Sequence, residues 1–578
     1  MKEPLQIIIL SVIALAIAFG GGVILNFYKY EGDLYVDTYV ASFMPGGVLE
    51  EGYDYVVRGN YTMLYRLWDA PLLYRQNFSQ PYVKALDINC SYIPYVKDYY
   101  GKVYAPSHEY EIWERAFFNE AGCYNPAGYE PGNYRVEYRY VLYPPVHYDA
   151  STYHINIKLA SRHIPYRDFT IIIDNSSGTI GKIYPHPPMD VKKEGDKYIL
   201  HGSSRRNALL EVEMLLNSPP PGFLERMDGV AEKVREENGA YYMKYAVASA
   251  LSAVMRYLTF LFPLIIFGIY YVHGREKRYV VPRYLSTVPK RRKPWEVNLL
   301  FKGDATTFDM HGFYATLLDM EMRGILEMRV DGKDVEIRVK EEQEGMDFYE
   351  RNVFNFIKKY SFDGVFSTAE LKRYIKSMRG RSYELSKIQR DFERIRRVRD
   401  GSRFVVNGRY IILKFFALSL LIFLSSLAAF LLRGSAYPVL LDATVYSLIF
   451  SIQFAAMLPA PSTLFGRWKR DYYKEKMEWD SFKRFLLDMA HLEKYTDEDI
   501  SIWKEWLVYA VALGVGKKVA NRFRKLNINV PEADMLPYIY IAFASTNNIL
   551  ASTTSSSSGG GGGIGAGGGF GGGGAGGR

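Results

Sequence analysis

Ala246–Val272 reads AVASALSAVMRYLTFLFPLIIFGIYYV, and His273–Lys293 follows as HGREKRYVVPRYLSTVPKRRK. The first 27 residues hold one charge, Arg256, and the next 21 hold Arg275, Lys277, Arg278, Arg283, Lys290, Arg291, Arg292 and Lys293 against the single acid Glu276. A membrane-spanning helix needs about 20 mostly apolar residues, and a Lys/Arg cluster beside one marks its cytoplasmic end. The pair predicts a membrane crossing at 246–272, entered from outside, with a basic collar inside that meets anionic lipid.

Working outward, Leu5–Leu25 is uncharged, after only Met1-Lys2-Glu3-Pro4. It reads either as a signal-anchor helix (1–27) or as a signal peptide cut near Ala16 and Ala18. The apolar run continues past that point to Leu25, which favours the anchor. Phe415–Leu432 and Ala443–Ala460 are two more uncharged runs of 18 residues, separated by a short Arg433–Pro438 link. They predict a transmembrane hairpin over 410–460, flanked by Arg403 and Arg409 before it and by Arg467, Lys469 and Arg470 after it. The expectation is four transmembrane helices, an exterior segment 28–245, and a cytoplasmic C-terminus. The charge split agrees: Tyr28–Ala246 nets −5 and Val247–Arg578 nets +14 within the total of +9.

The exterior segment alternates apolar and polar residues with period two, as in Tyr134-Arg-Val-Glu-Tyr-Arg-Tyr-Val and Tyr153-His-Ile-Asn-Ile-Lys-Leu. Turn residues separate such runs, so the pattern predicts an antiparallel β-sandwich. Thirty of the 49 tyrosines lie here. Tyrosine suits strands and its hydroxyl can stay wet, a structural reading preferred over sugar-stacking platforms. The sequons at Asn60, Asn77, Asn89 and Asn175 all fall in this segment and are candidate glycosylation sites. Cys90 and Cys123 are the only cysteines; an oxidising exterior would allow a disulfide, and two free buried thiols fit equally.

Within 273–409, a helical pattern from Phe308 precedes the hairpin Ile325–Val330, Asp331-Gly-Lys-Asp, Val335–Val339. Three helices follow over 348–360, 367–377 and 383–398, with Ser367-Thr-Ala-Glu as a capping box. This predicts an α+β winged-helix-like module. Its basic helix, with Lys372, Arg373, Lys376, Arg379 and Arg381, fits a protein or lipid contact better than nucleic acid, because Glu341, Glu342 and Glu344 dilute the charge. Residues 461–551 predict a small α-helical domain, with Trp506–Gly516 too short to span and therefore buried. The Ser/Gly-rich tail 552–578 has too little apolar surface to fold and is expected to be disordered.

Several residues carry the likeness to a known family. Tyr153–Leu159, Phe169–Asp174, Ala315–Leu326, Trp479–Leu486 and Trp506–Val515 resemble segments of the prokaryotic YciQ-like membrane proteins, defined by domain of unknown function 2207. The resemblance implies architecture and a membrane address, with no activity attached, and Tyr35–Tyr129 departs most from it.

No phosphate-binding glycine loop, paired-histidine zinc motif or cysteine ligand set is present, so no catalytic, cofactor-binding or metal residue is expected. Arg256 and Asp442, isolated charges in apolar runs, are a candidate intramembrane pair. The sequence favours a membrane-anchored binding, scaffold or signalling protein with membrane or envelope protein partners, homo-oligomers included. The alternative is a cell-envelope enzyme with a hydrolytic site in the exterior domain.

Overall fold

A computed structural model describes residues 3–44, 46–340, 345–379, 381–396, 398, 402–488, 500–554 and 575–578. The chain forms two compact units: Met1–Ile265 with Phe415–Ala456 and Gly565–Arg578, and Ile266–Lys414 with Met457–Ile564.

In the first unit, strands β1 (Leu34–Met44), β2 (Val48–Val57), β3 (Tyr61–Leu67), β4 (Leu72–Tyr74), β5 (Tyr82–Cys90), β6 (Ile93–Lys97), β7 (Val103–Tyr104) and β8 (Glu120–Tyr129) come first. Then follow β9 (Gly132–Tyr143), β10 (Pro145–Tyr148), β11 (Tyr153–Ala160), β12 (Tyr166–Asp174) and β13 (Ile180–His186). The series closes with β14 (Val191–Glu194), β15 (Lys197–Ser204), β16 (Leu210–Leu216) and β17 (Phe223–Arg226). One eight-stranded sheet runs β14-β15-β12-β1-β2-β9-β5-β4, and a five-stranded sheet runs β13-β16-β11-β10-β17. A third sheet orders the terminal strand Ala575–Gly577, then β3-β8-β6-β7.

The region is sheet-rich as its alternation predicts, but it is not a simple two-sheet antiparallel sandwich. Side chains from all three sheets, among them Val36, Leu64, Cys123, Ile157 and Val212, share one core. Three strand pairs are parallel: β1 with β12, β4 with β5, and β10 with β17.

The tyrosines also differ from expectation. Tyr39, Tyr53, Tyr55, Tyr138, Tyr140 and Tyr166 are fully buried. Their rings stack on one another, Tyr39 on Tyr53 at 4.6 Å between centroids. The hydroxyls of Tyr39 and Tyr53 are not wet but donate to buried Glu51.

Besides the short helix Glu109–Arg115, this unit holds the long helices α1 (Glu3–Tyr30), α2 (Val230–Phe260), α3 (Gly408–Arg433, from Phe415 onward) and α4 (Leu440–Met457, to Ala456). Of these α1, α3 and α4 are each long and apolar enough to cross a membrane, and α2 with its continuation from Phe262 makes a fourth candidate if the interrupted pair counts as one span.

The tail departs from expectation at its very end. Residues 555–574 lie outside the described residues, but Ala575–Gly577 form a strand antiparallel to β3, so these last residues are not disordered. The reason is backbone pairing: an open edge offers hydrogen bonds that need no apolar side chain. Residues 575–577 therefore sit with the sheets.

In the second unit, helix Met310–Met322 starts at Asp309, whose carboxylate accepts the N–H of His311. The hairpin β18 (Leu326–Asp331) and β19 (Asp334–Val339) turns at Gly332, with φ +60°. Two short strands, β20 (Ser361–Phe362) and β21 (Val365–Ser367), extend it to four strands in the order β18-β19-β21-β20. The capping box lies not at Ser367, whose side chain makes no cap bond, but at Asp347 with Glu350.

Trp295, Phe313, Ile337 and Phe366 share one core with Trp479, Trp503, Trp506 and Phe543. The segments 273–409 and 461–551 thus fold together rather than as two modules, because neither apolar face is covered without the other. Glu341, Glu342 and Glu344 lie outside the described residues.

Candidate functional site

Three charged residues of the helices, Lys29, Arg256 and Asp442, line one cleft. Asp442, at the start of α4, takes Lys29 at the end of α1 as its partner, both carboxylate oxygens lying 2.9 Å from Nζ. Arg256 is not that partner; its guanidinium lies 5.6 Å from the Tyr257 ring centre. All three nevertheless line the same cavity of about 650 Å³, with Phe19, Phe260 and Tyr446. Depth along the helix places Asp442 opposite α1 as readily as α2, and sequence separation hides which neighbour is nearer. Close packing helps: a Cβ at Gly21 would overlap Ile449, so glycine there lets α1 approach α4.

One polar side chain repairs a break in α2. Pro263 has no N–H, so the carbonyl of Thr259 loses its helical partner. The amide nitrogen of Gln453 on α4 donates to that carbonyl at 3.0 Å and to the Ala14 carbonyl of α1 at 2.9 Å. In a lipid setting an unpaired carbonyl costs several kcal/mol, so Gln453 joins three helices at the point where one is interrupted.

The Lys29–Asp442 pair is about one-fifth exposed. Lys29→Leu or Asp442→Leu leaves the survivor uncompensated, at an expected loss of roughly 1–3 kcal/mol. The double substitution should regain much of it, read as Tm of the purified chain in detergent. Additive losses would mean that the two charges do not stabilise one another.

A second polar assembly lies where the sheets meet α2. On β16, Glu211 and Glu213 are two residues apart and so share a face. His186 on β13 offers Nδ1 to Glu211 at 2.9 Å and Nε2 to the Asn238 side-chain oxygen of α2 at 2.8 Å. The Asn238 amide nitrogen donates to Glu213, which fixes the orientation of that amide. Glu213 also meets His154 Nε2 at 2.7 Å, and His154 Nδ1 faces His147 Nδ1 at 3.2 Å.

Both nitrogens of His186 therefore face acceptors. Burial opposes the charge most strongly, yet the Glu211 and Asn238 bonds with the nearby carboxylates together raise the His186 pKa above its usual value. Glu211 and Glu213 lie below theirs: burial acts against this, and the histidine and asparagine bonds outweigh it.

The linkage sign follows. A raised histidine pKa gives stability that is full below about pH 6.5 and is lost as pH rises through the folded value. The depressed carboxylates give stability that is present above about pH 4.5 and lost as pH falls through their folded values. His163, buried and held down to about 4, pulls the other way below its usual range. The His186 contribution is isolated by difference: wild type minus His186→Gln should be largest in mildly acidic buffer and shrink above neutrality. A difference that is flat with pH would show His186 to be neutral.

Arg205 fixes the same end of the sheets to the α3–α4 turn, donating to the carbonyls of Gly434 at 2.7 Å and Pro438 at 3.1 Å. The hydroxyl of Tyr241 donates to Ala436 O at 2.9 Å.

Cys90 and Cys123 are joined as a disulfide. Asn60, Asn77 and Asn89 are exposed, whereas Asn175 is buried with its side chain bonded to Ile180, which closes it to a glycan. Sequence reasoning missed the Glu51–Arg66 pair, Lys29 as a partner, and the histidine–glutamate seam. The seam did leave a signal: two acids at i and i+2 inside the apolar run Leu209–Leu216. Among the described residues no group of three or more His, Cys, Asp or Glu is placed to hold a metal ion.

Sheet-rich region, apolar helices and a helix-rich second unit together describe a membrane protein of recognisable type. Two family profiles match, "Predicted membrane protein (DUF2207) N-terminal domain" over residues 36–216 and "Predicted membrane protein (DUF2207) C-terminal domain" over 281–523. The chain belongs to this DUF2207 family of membrane proteins of unknown function. No curated protein matches it.

Among solved structures, an M1 zinc metallopeptidase from Deinococcus radiodurans is 8% identical, with 33% of this chain covering 43% of that one at a TM-score of 0.19. A mutant of the same enzyme bound to a Tyr-Ser-Ala substrate gives 10% identity, the same coverage and a TM-score of 0.18. The chain thus spans less than half the length of these structures, and likeness at this level carries no argument.

Proposed function

We propose that the chain is a membrane-anchored binding or scaffold protein with four crossings, α1, α2 with its continuation, α3 and α4. In this reading a sheet-rich exterior domain is coupled to a cytoplasmic module that holds the winged-helix-like hairpin. The observation that carries the reading is the polar fastening at the foot of the sheets. Arg205, Tyr241 and the His186–Asn238–Glu213 seam tie the sheets to both α2 and the α3–α4 turn. A domain so fastened passes a load or a bound partner's effect to its helices, which a free tether would not do.

The disulfide and the three exposed sequons support an exterior location. The basic helix of the second unit supports a protein or anionic-lipid contact over nucleic acid, since Lys372 is already paired with Asp334 at 2.6 Å. Nothing in the sheets favours the hydrolase alternative.

Three crossings would put the α3–α4 turn on the far side from Arg205, so the bonds of Arg205 to Gly434 O and Pro438 O support four. Single cysteines at positions 196 and 283, labelled from outside intact cells in a disulfide-retaining background, test the arrangement. Position 196 should label and 283 should not. Labelling of 283 from outside would overturn the four-crossing reading.

A further inference from the structure

The cleft of about 650 Å³ among α1, α2 and α4 is polar at one end and apolar at the other. Asn26, Lys29 and Glu31 line it where α1 runs on towards β1, and Phe19 and Val23 line it further down the same helix. Phe260 of α2 meets Phe19 at 5.3 Å between ring centres. Phe19 and Val23 are exposed, so this lower wall has no cover within the chain.

The acids of the cleft are already matched. Asp442 holds Lys29, and Glu31 holds Arg58 at 3.4 Å. Arg256 is the cation left over: among the described residues no acid pairs with it, and its guanidinium stands over the Tyr257 ring. One turn earlier on the same face of α2, Ser252 also lines the cleft. It is 8% exposed, and its hydroxyl has no hydrogen-bond partner among the described residues.

An isolated charge on an apolar helix is costly unless an opposite charge meets it. A guanidinium matches a phosphate in geometry as well as in sign. The volume falls within the range of ligand pockets, roughly 300–1,000 Å³.

We propose that this cleft seats one anionic glycerophospholipid of the exterior leaflet, its phosphate held by Arg256 and the Ser252 hydroxyl and its chains laid along Phe19, Val23 and Phe260. The proposal rests on the four-crossing reading, which puts the Lys29 end of α1 at the exterior interface. One phosphodiester charge balances the one unmatched cation. The apolar wall separates a lipid from free phosphate, which would leave Phe19 and Val23 uncovered.

The test uses the full chain purified in detergent and stripped of lipid, titrated with phosphatidylglycerol and read by native mass spectrometry and by Tm. One lipid should bind per chain and raise Tm. Diacylglycerol, which has the chains without the phosphate, should bind roughly tenfold more weakly or worse, the scale of one lost charge-assisted bond. Inorganic phosphate, which has no chains, should give no gain in Tm. Arg256→Gln should weaken phosphatidylglycerol binding by a similar factor. Arg256→Lys should keep most of it, since lysine still meets phosphate as a point charge.

The lipid analogues act on an unaltered protein, so a misfolded variant cannot mimic the result. Diacylglycerol bound as tightly as phosphatidylglycerol, or an Arg256→Gln chain that keeps the lipid, would overturn the proposal. So would inorganic phosphate that alone gives the same gain in Tm. Oligomers of the stripped chain that Arg256→Gln dissolves would also overturn it, since a second copy would then fill the cleft. Outside labelling at positions 196 and 283 reads the crossings separately. Absent lipid binding with the expected labelling strikes the lipid site alone, whereas labelling of 283 strikes the four-crossing reading and the proposal with it.

Discussion

Arg66→Leu is expected to cost the sheet domain roughly 3–5 kcal/mol, the range for removing one partner of a buried ion pair. Arg66 Nε lies 3.1 Å from Glu51, and the two side chains are 2% and 0% exposed. The guanidinium also donates to Leu67 O and lies 3.9 Å from the Trp68 ring centre. Without it, Glu51 keeps the phenol donors of Tyr39 at 2.6 Å and Tyr53 at 3.0 Å but no countercharge.

Those phenols stay neutral donors, since burial first, and the Glu51 charge next, push both well above the usual tyrosine range, and a neutral donor is no countercharge. The loss should appear as a lower midpoint in the near-ultraviolet circular dichroism melt, which this tyrosine-dense domain dominates. Arg66→Leu with Glu51→Leu should be milder than Arg66→Leu alone, because no buried charge is stranded. A single variant within about 1 kcal/mol of wild type would mean that water reaches Glu51.

The second large effect concerns the disulfide. Cys90 on β5 and Cys123 on β8 lie in different sheets and close a loop with a sequence separation of 33. By chain entropy such a loop is worth roughly 3–4 kcal/mol. The double substitution Cys90→Ser and Cys123→Ser should lower Tm accordingly, and dithiothreitol should produce the same shift in wild type while leaving the variant unmoved. Free thiols titrating in the oxidised protein, or no shift on reduction, would refute the staple.

Much of the architecture is legible in the chain. Uncharged runs give the apolar helices because length and charge alone decide insertion. Period-two alternation gives the sheet-rich region because a half-buried strand must repeat every two residues. Pairings between distant segments are not legible. Asp442 sits opposite two cationic candidates, and only the packing of α1 against α4 selects Lys29 over Arg256. Glu51 and Arg66 each look like ordinary polar positions of a strand, since nothing local says that a third sheet covers them. The hairpin at Gly332 is readable, but the core it shares with Trp479 and Phe543 arises from residues more than 140 positions away. The tail reads as disorder because composition measures side chains, and its last strand is held by backbone.

That terminal strand also has a consequence in time. β3 leaves the ribosome among the first 67 residues, and its neighbour Ala575–Gly577 follows only after the second unit. At about 5–20 residues per second the interval is roughly 25–100 s. Throughout it, the sheet domain exists with one edge unpaired, an edge that attracts other strands. Only once Ala575–Gly577 have been made can that edge close, so the first domain is completed after the second unit rather than before it.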